Sequence, residues 1–122
     1  MSSKTECKKF VNSFKYAIQG FISSFKTERN MKIHVLATIL VIILGVILKM
    51  NPIEWCFCII SIVMVISAEL FNTAIETIVD MVSPEKNEKA KLAKDISASA
   101  VLTFSIGAAI IGIIIFVPKI IS

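Results

Sequence analysis

The sequence has few residues of the types that build metal centres or disulfide frameworks. It has one histidine, His34, and three cysteines, Cys7, Cys56 and Cys58, with no second cysteine pair to complete a zinc site. We expect all three thiols to be free. The pattern GxxxxGK[ST] is absent, which excludes a P-loop protein. The polar N-terminus lacks the features of a cleavable signal peptide, so the first apolar run, from about Ile33, is expected to act as an internal anchor.

The composition indicates a membrane protein with one domain. The chain has 122 residues, of which 56% are hydrophobic, a larger share than soluble domains usually have. Its formal net charge is +4. A basic balance in a soluble protein can indicate a nucleic-acid partner, but here the apolar runs are too long, and membrane topology explains the lysines better. We expect a single membrane-embedded domain over residues 1–122 and no nucleic-acid partner.

The hydrophobic pattern predicts an all-α integral membrane fold with three spanning helices. Residues 33–48 are apolar, although short for a hydrocarbon core about 30 Å thick. The pair Asn51-Pro52 marks a turn. Residues 53–82 then continue without Pro or Gly for roughly 45 Å, and because their first half is almost purely apolar, the second half is expected to project into water. Residues 96–117 form the third span, with small residues that favour close helix packing.

The lysines predict the orientation of the spans. They are concentrated before the first span and in the polar connector at residues 83–95, whereas the first connector has only Lys49 and the C-terminus only Lys119. The positive-inside rule therefore puts the N-terminus and the second connector in the cytoplasm and the C-terminus outside. Within the connector, Pro84 is expected to start a helix with Ser83 as its N-cap.

Residues 4–27 are too polar to span a bilayer, yet they show helical amphipathicity. Apolar residues recur at spacings of three and four, at Phe10, Phe14, Ala17, Ile18, Phe21 and Phe25. Lysines occupy other directions around the helix. This pattern is typical of an interfacial helix whose aromatic side chains face the lipid and whose lysines face anionic headgroups. The alternative is a partner-facing helix of a soluble bundle.

The run AELFNTAIETIVD, residues 68–80, places polar side chains on an otherwise apolar helix. At about 100° per residue, Glu69, Asn72, Glu76 and Asp80 share one face. Carboxylates so arranged can hold a hard cation such as Mg²⁺, conduct ions or protons, or supply a general base. Interhelical hydrogen bonds and helix caps are the structural alternative.

Two further features favour an enzyme over an ion path. Lys94 lies across the connector and can fold back toward the acids, where a lysine suits a phosphate. Glu28 lies before the first span, on the same predicted side of the membrane. Acids, a cation and a lysine at one membrane face indicate phosphoryl transfer to a lipid. An ion path would continue the acids through the membrane, and the stretch WCFCIISIVMVIS has none.

The segments AELFNTAIETIVD and AKDISASAVL closely resemble the signature of the prokaryotic diacylglycerol kinase family, which includes undecaprenol kinases. The resemblance extends from about Tyr16 to the third span. It implies small enzymes of the bacterial cell membrane with three spanning helices and an N-terminal surface helix. It also implies a homotrimeric bundle with composite sites between subunits, and transfer of the γ-phosphate of ATP, with Mg²⁺, to a lipid hydroxyl.

The resemblance also implies roles for particular residues. Glu69 matches the family's general base, and Glu76 matches a ligand of the divalent metal together with Glu28. The ATP-binding positions are Tyr16, Glu28, Glu76, Glu85, Lys86, Asn87, Lys94 and Asp95. The positions that support the site or contact the lipid substrate are Lys9, Glu69, Asn72, Asp80 and Ala98. Lys86 and Asn87 stand where a Tyr and a His are common, which affects the fine contacts to adenine.

The segment TERNMKIH, residues 27–34, is similar to the Gram-positive branch of the family. The expected substrate is therefore undecaprenol, which would be converted to undecaprenyl phosphate. The alternative is diacylglycerol, which would give phosphatidic acid. For His34, the pattern favours an interfacial hydrogen-bonding residue without a catalytic role.

Overall fold

The computed structural model describes residues 2–122 and is all-helical. Four helices follow one another along the chain: α1 (Ser3–Thr27), α2 (Arg29–Ile47), α3 (Pro52–Val82) and α4 (Glu88–Ile121). The last three are long and apolar enough to cross a membrane. The fold class and the three spanning helices are therefore as the hydrophobic pattern predicts. Cys7, Cys56 and Cys58 are free, also as expected.

A single residue separates α1 from α2. Glu28 has an extended backbone, with φ −105° and ψ 117°, and its N–H donates to the Ser24 carbonyl oxygen at 2.8 Å. The last turns of α1 also dock on α3, because Ser24 is buried and its hydroxyl lies 3.3 Å from that of Thr73. This contact fixes Glu28 beside the second half of α3.

The turn between α2 and α3 follows the predicted Asn-Pro signal. Lys49 has φ 53°, the left-handed conformation that commonly ends a helix. Asn51 then caps α3, since its side chain accepts the Glu54 N–H at 2.9 Å while the Glu54 carboxylate accepts the Asn51 N–H at 3.0 Å. Pro52 occupies the first turn, where its missing N–H costs nothing. The short turn makes α2 and α3 antiparallel neighbours.

Close packing at this turn depends on a glycine. A Cβ on Gly45 would lie 2.7 Å from Met50 Cε and 2.9 Å from Trp55 Cη2, so any larger residue would require both side chains to move from their places over α2. Met50 is buried with Cys58, Ile115 and Phe116 in a small core that joins the start of α3 to the end of α4. The most extensive helix contact in the fold is between α3 and α4.

The start of α4 differs from the prediction. Ser83 ends α3, and its hydroxyl donates to the Glu85 carbonyl oxygen at 3.0 Å, so it does not cap a helix that begins at Pro84. Asn87 is the N-cap of α4, because its side-chain oxygen accepts the Lys89 N–H at 2.8 Å and the N–H of the residue after it at 3.3 Å. Asparagine caps helices at least as well as serine, and its position leaves residues 83–87 as a non-helical connector.

Candidate active site

The polar run of α3 forms a gradient of burial along one side of the helix. Glu69 is 0% exposed and Asn72 is 5% exposed. Glu76 is half-buried and Asp80 is exposed. The spacing of three and four residues keeps these side chains on neighbouring turns of one face. Along this face the carboxylates therefore become more exposed, from the fully buried Glu69 to the solvent-exposed Asp80.

Glu69 is the most unusual carboxylate of the chain. Within residues 2–122, neither of its side-chain oxygens has a hydrogen-bond partner. His34 Nε2 lies 3.6 Å from Glu69 Oε2, which makes an ion pair when the histidine is protonated. The charges of Glu28 and Glu76 also act on the Glu69 carboxylate, which shows that the three acids are neighbours. Burying a carboxylate near other acids is costly in free energy. A chain that keeps such a group near a membrane is expected to use it for function.

Asn72 and Glu28 complete this cluster. The Asn72 amide nitrogen donates to Glu76 Oε1 at 3.3 Å, and the Asn72 side-chain oxygen is buried without a partner among the described residues. Glu28 approaches from the junction of α1 and α2, which the Ser24 contact holds against α3. In residues 2–122, no three His, Cys, Asp or Glu side chains converge to hold a metal ion by themselves.

A second group of charges lies at the connector. Lys94 folds back from α4 onto α3, as its position suggested, and its Nζ lies 2.5 Å from Asp80 Oδ1. The hydrogen bond with Asp80 raises the pKa of Lys94, which lies before the apolar part of α4. Glu76 also acts on Lys94 by its charge and so links the two groups. Asp95 pairs with Lys91, Nζ to Oδ2, at 2.7 Å.

The connector encloses a cleft of about 560 Å³, in the range of small-molecule sites. Six of the predicted site residues line this cleft: Asp80, Glu85, Lys86, Asn87, Lys94 and Asp95. The structure thus brings together the residues that sequence reasoning gathered from α3, the connector and α4.

Three predicted site residues lie apart from these groups in the single chain. Lys9 and Tyr16 are exposed on the first half of α1, and neither lines the connector cleft. Tyr16 is eight residues before Ser24, or about 12 Å along the helix. Ala98 is exposed on α4, next to the buried Ser97.

Sequence reasoning missed the contact between His34 and Glu69. A partial signal for it exists, because the turn at residues 48–51 makes α2 and α3 antiparallel, and His34 and Glu69 lie 14 residues before and 18 residues after that turn, so that their levels differ by about one helical turn. Equal distances from a tight turn put two residues at the same level of a helix pair. Which way each helix is rotated about its axis decides whether two such residues meet.

A cavity between the helices was also not predicted. It has a volume of about 330 Å³ and lies between α2, α3 and α4. His34 is at its polar end, and its walls are mostly apolar or small, with Val41, Val65, Ala108 and Gly112 among them. The cavity therefore extends from His34, the neighbour of Glu69, into the apolar interior of the helix bundle.

Comparison with known proteins identifies relatives over most of the chain. The pattern of the prokaryotic diacylglycerol kinase family matches residues 15–116. An undecaprenol kinase of Bacillus subtilis (strain 168) is 39% identical over 116 residues, which cover 95% of this chain and 94% of that protein. A diacylglycerol kinase of Synechocystis sp. is 37% identical over 90% of this chain and 63% of its own length. One from Haemophilus influenzae is 35% identical over 85% of this chain and 86% of its own length.

Proposed function

We propose that this chain, which belongs to the prokaryotic diacylglycerol kinase family and is a lipid kinase of a bacterial membrane, phosphorylates undecaprenol with ATP. One observation carries the proposal: a single helix face runs from the enclosed Glu69, through Glu76, to Asp80 and its lysine partner at the connector. Such a face can meet a lipid hydroxyl at its buried end and a nucleotide at its aqueous end.

Glu69 is the general base in the proposed reaction. Its carboxylate accepts the proton of the lipid hydroxyl while the lipid oxygen bonds to the γ-phosphorus of ATP. The bond between the γ-phosphorus and the β–γ bridging oxygen breaks, and ADP leaves with the electron pair. Because Glu69 is buried and its oxygens have no donor among the described residues, its carboxylate is free to accept this proton.

Glu28 and Glu76 are the residues proposed to hold Mg²⁺. The ion is usually bound by one or two carboxylates, with phosphate and water oxygens completing its octahedral shell. The two glutamates fit this donor set, because the charges of both act on Glu69 and together they supply two carboxylates at one end of the fold. When bound, the ion would neutralise charge on the phosphates of ATP. Asn72 would support this arrangement by orienting the Glu76 carboxylate.

The connector cleft is the proposed nucleotide site. Lys94 would leave Asp80 for a phosphate, to which a lysine is a strong charge-assisted donor. Asp95 and the connector residues Glu85, Lys86 and Asn87 line the same cleft. Tyr16 lies outside it in the single chain, which supports a composite site in a homotrimer, where α1 of one subunit reaches the cleft of another.

The lysine distribution supports a multi-pass protein of the cell membrane with its N-terminus and its second connector in the cytoplasm, where ATP is found. In this orientation α1 lies on the membrane surface, with Phe10, Phe14 and Ile18 exposed toward lipid. A C-terminal reporter that is active only in the cytoplasm is expected to stay silent. Strong cytoplasmic activity of that reporter would overturn the three-span orientation.

Undecaprenol is proposed over diacylglycerol because the B. subtilis undecaprenol kinase matches nearly the whole of both chains. Diacylglycerol is the second candidate, because other relatives bear that name. Purified protein in micelles, with labelled ATP and both lipids offered in competition, tests the choice. We expect label mainly in undecaprenyl phosphate. Label mainly in phosphatidic acid would reverse the order, and label in neither lipid would contradict both.

A further inference from the structure

We propose that His34 is a positioning residue that holds the Glu69 carboxylate toward the lipid hydroxyl. The inference rests on the proposed function, because it assigns a role within the same reaction. It starts from the burial of Glu69, which is 0% exposed and whose side-chain oxygens have no hydrogen-bond donor in residues 2–122. A buried, ionised carboxylate requires a donor or an opposite charge to stay ionised and in one orientation.

The other polar groups around Glu69 do little for its carboxylate. The Asn72 amide nitrogen donates to Glu76 at 3.3 Å and stabilises the Glu69 carboxylate less than His34 does, and the Thr73 hydroxyl donates to the backbone oxygen of Glu69 at 3.0 Å rather than to its carboxylate. Glu28 and Glu76 carry charge of the same sign and repel an ionised Glu69. His34 is therefore the group that stabilises the carboxylate most, through a nitrogen that can donate to it.

The geometry suits a donor that tightens when substrate binds. His34 Nε2 is 3.6 Å from Glu69 Oε2, somewhat longer than a hydrogen bond. Catalytic contacts are often long before substrate arrives and shorten in the bound complex. The His34 backbone is also fixed, because its carbonyl oxygen accepts the Thr38 hydroxyl at 2.8 Å. A small rotation of the imidazole is enough to bring the two side chains into contact.

His34 also lines the apolar cavity between α2, α3 and α4, whereas Glu69 does not. His34 thus stands between the Glu69 carboxylate and the apolar interior, and its side chain is 18% exposed. A hydroxyl carried by a hydrocarbon chain would come from this side. By holding one carboxylate oxygen, His34 leaves the other directed at the hydroxyl. It transfers no proton itself.

Three variants test the proposal in full-length protein purified in micelles. His34→Ala removes the donor. His34→Gln keeps one, because the glutamine amide nitrogen lies about as far along its side chain as Nε2 of histidine. Ser61→Ala is the matched control, since Ser61 lines the same cavity but its hydroxyl donates to the Phe57 carbonyl oxygen. Turnover and the KM for ATP are measured with undecaprenol on samples of equal thermal stability.

His34→Ala is expected to lower kcat by about 10²-fold, the effect of a misplaced catalytic group, with the KM for ATP unchanged. His34→Gln is expected to restore most of this loss, and Ser61→Ala to leave kcat unchanged. In a Glu69→Gln background, His34→Ala should lower the residual rate no further, because residues that act as a unit are not additive.

Several outcomes would overturn the role of His34. These are unchanged turnover in His34→Ala, an equal loss in Ser61→Ala, no rescue by His34→Gln, or an equal further loss in the Glu69→Gln background. If the unchanged chain phosphorylates neither undecaprenol nor diacylglycerol, the proposed function itself is wrong, and that result is distinct from all of these.

Discussion

The two ends of the α3–α4 pair differ in how far their least exposed polar groups are paired. At the turn end, defined by residues 45–58 and 111–119, Glu54 accepts the Asn51 N–H at 3.0 Å and pairs with Lys119 at 2.9 Å. At the connector end, defined by residues 68–95, the carboxylate of Glu69 and the side-chain oxygen of Asn72 are buried without hydrogen bonds among the described residues.

We interpret this difference as one between polar groups that stabilise the fold and polar groups of the proposed site. A buried polar group without a partner costs about 1–3 kcal/mol. The turn end avoids that cost and adds a packed core of Met50, Cys58, Ile115 and Phe116. The connector end bears this cost at both oxygens of the Glu69 carboxylate and at the side-chain oxygen of Asn72. The cost is understandable if substrates complete these hydrogen bonds, so substitutions at the connector end should change catalysis, and those at the turn end should change stability.

The largest effect is expected from Glu69→Gln, which keeps the shape of the side chain and removes the proposed base. Turnover should fall by about 10²–10⁴-fold, the contribution of a positioned base, while folding and ATP affinity are retained. Glu54→Gln, on the same helix at the turn end, should leave turnover unchanged. Turnover and nucleotide affinity are measured on one folded sample. Near-normal turnover in Glu69→Gln would move the base to another residue, with Asp80 and Asp95 the next candidates.

The next effect is expected from Glu76→Gln. If Glu76 is a direct ligand, as proposed, the Mg²⁺ concentration needed for half-maximal turnover should rise by more than the roughly 10-fold that loss of an outer-shell partner costs. The affinity for MgATP should fall with it. A titration of activity against Mg²⁺ measures the shift. Thr77→Val is the control, since the exposed Thr77 hydroxyl donates only to the Thr73 carbonyl oxygen. An unchanged requirement would show that Glu76 is not a ligand.

At the turn end, Gly45→Ala should lower stability without lowering the turnover of the folded protein. Its Cβ would collide with Met50 and Trp55, and overpacking of this kind costs about 1–3 kcal/mol. The matched variant is Gly107→Ala, whose Cβ would meet nothing within 4 Å and which should gain up to about 1 kcal/mol, as alanine does in helices. Unfolding in micelles compares the two. Equal stability of both variants would contradict the close approach at Gly45.

The smallest effect is expected from Lys119→Met, which removes the ion pair with Glu54. Both side chains are partly exposed, and water screens their attraction, so such pairs contribute little. The midpoint of unfolding should fall by less than it does in Gly45→Ala, and turnover should not change. A loss of turnover would mean that the turn end communicates with the site, and the separation of the two ends would then be wrong.

Much of the fold is predictable from the sequence because it depends on local signals. Apolar runs mark α2, α3 and α4, the Asn51-Pro52 pair marks the turn, and the absence of Pro and Gly marks the unbroken length of α3. The start of α4 is less predictable, since Ser83 and Asn87 are both good caps and the chain can use either. In the structure Asn87 is the cap, and the Ser83 hydroxyl donates to the Glu85 carbonyl oxygen instead.

The candidate site is predictable only in part. Residues four apart on α3 share a face by helical geometry alone, which is why the acid run could be identified. The docking of Ser24 on Thr73 and the pairing of His34 with Glu69 depend on how each helix is rotated about its axis. That rotation is set by many side-chain contacts together, and no local pattern encodes it. A site residue that comes from another subunit, as proposed for Tyr16, is harder still to predict, because its position also depends on how the subunits assemble.

The one-residue junction at Glu28 limits how the chain can change in length. One residue added to the end of α1 or the start of α2 would turn the neighbouring side chains by about 100°, and Glu28 would leave the neighbourhood of Glu69 and Glu76. The connector at residues 83–87 is non-helical and largely exposed, so a residue added there need not turn a helix face, but it lines the cleft through Glu85, Lys86 and Asn87. A change of length between α1 and α2 is therefore expected to displace Glu28 from the acids of α3, whereas a change of length between α3 and α4 is expected to act on the proposed nucleotide cleft.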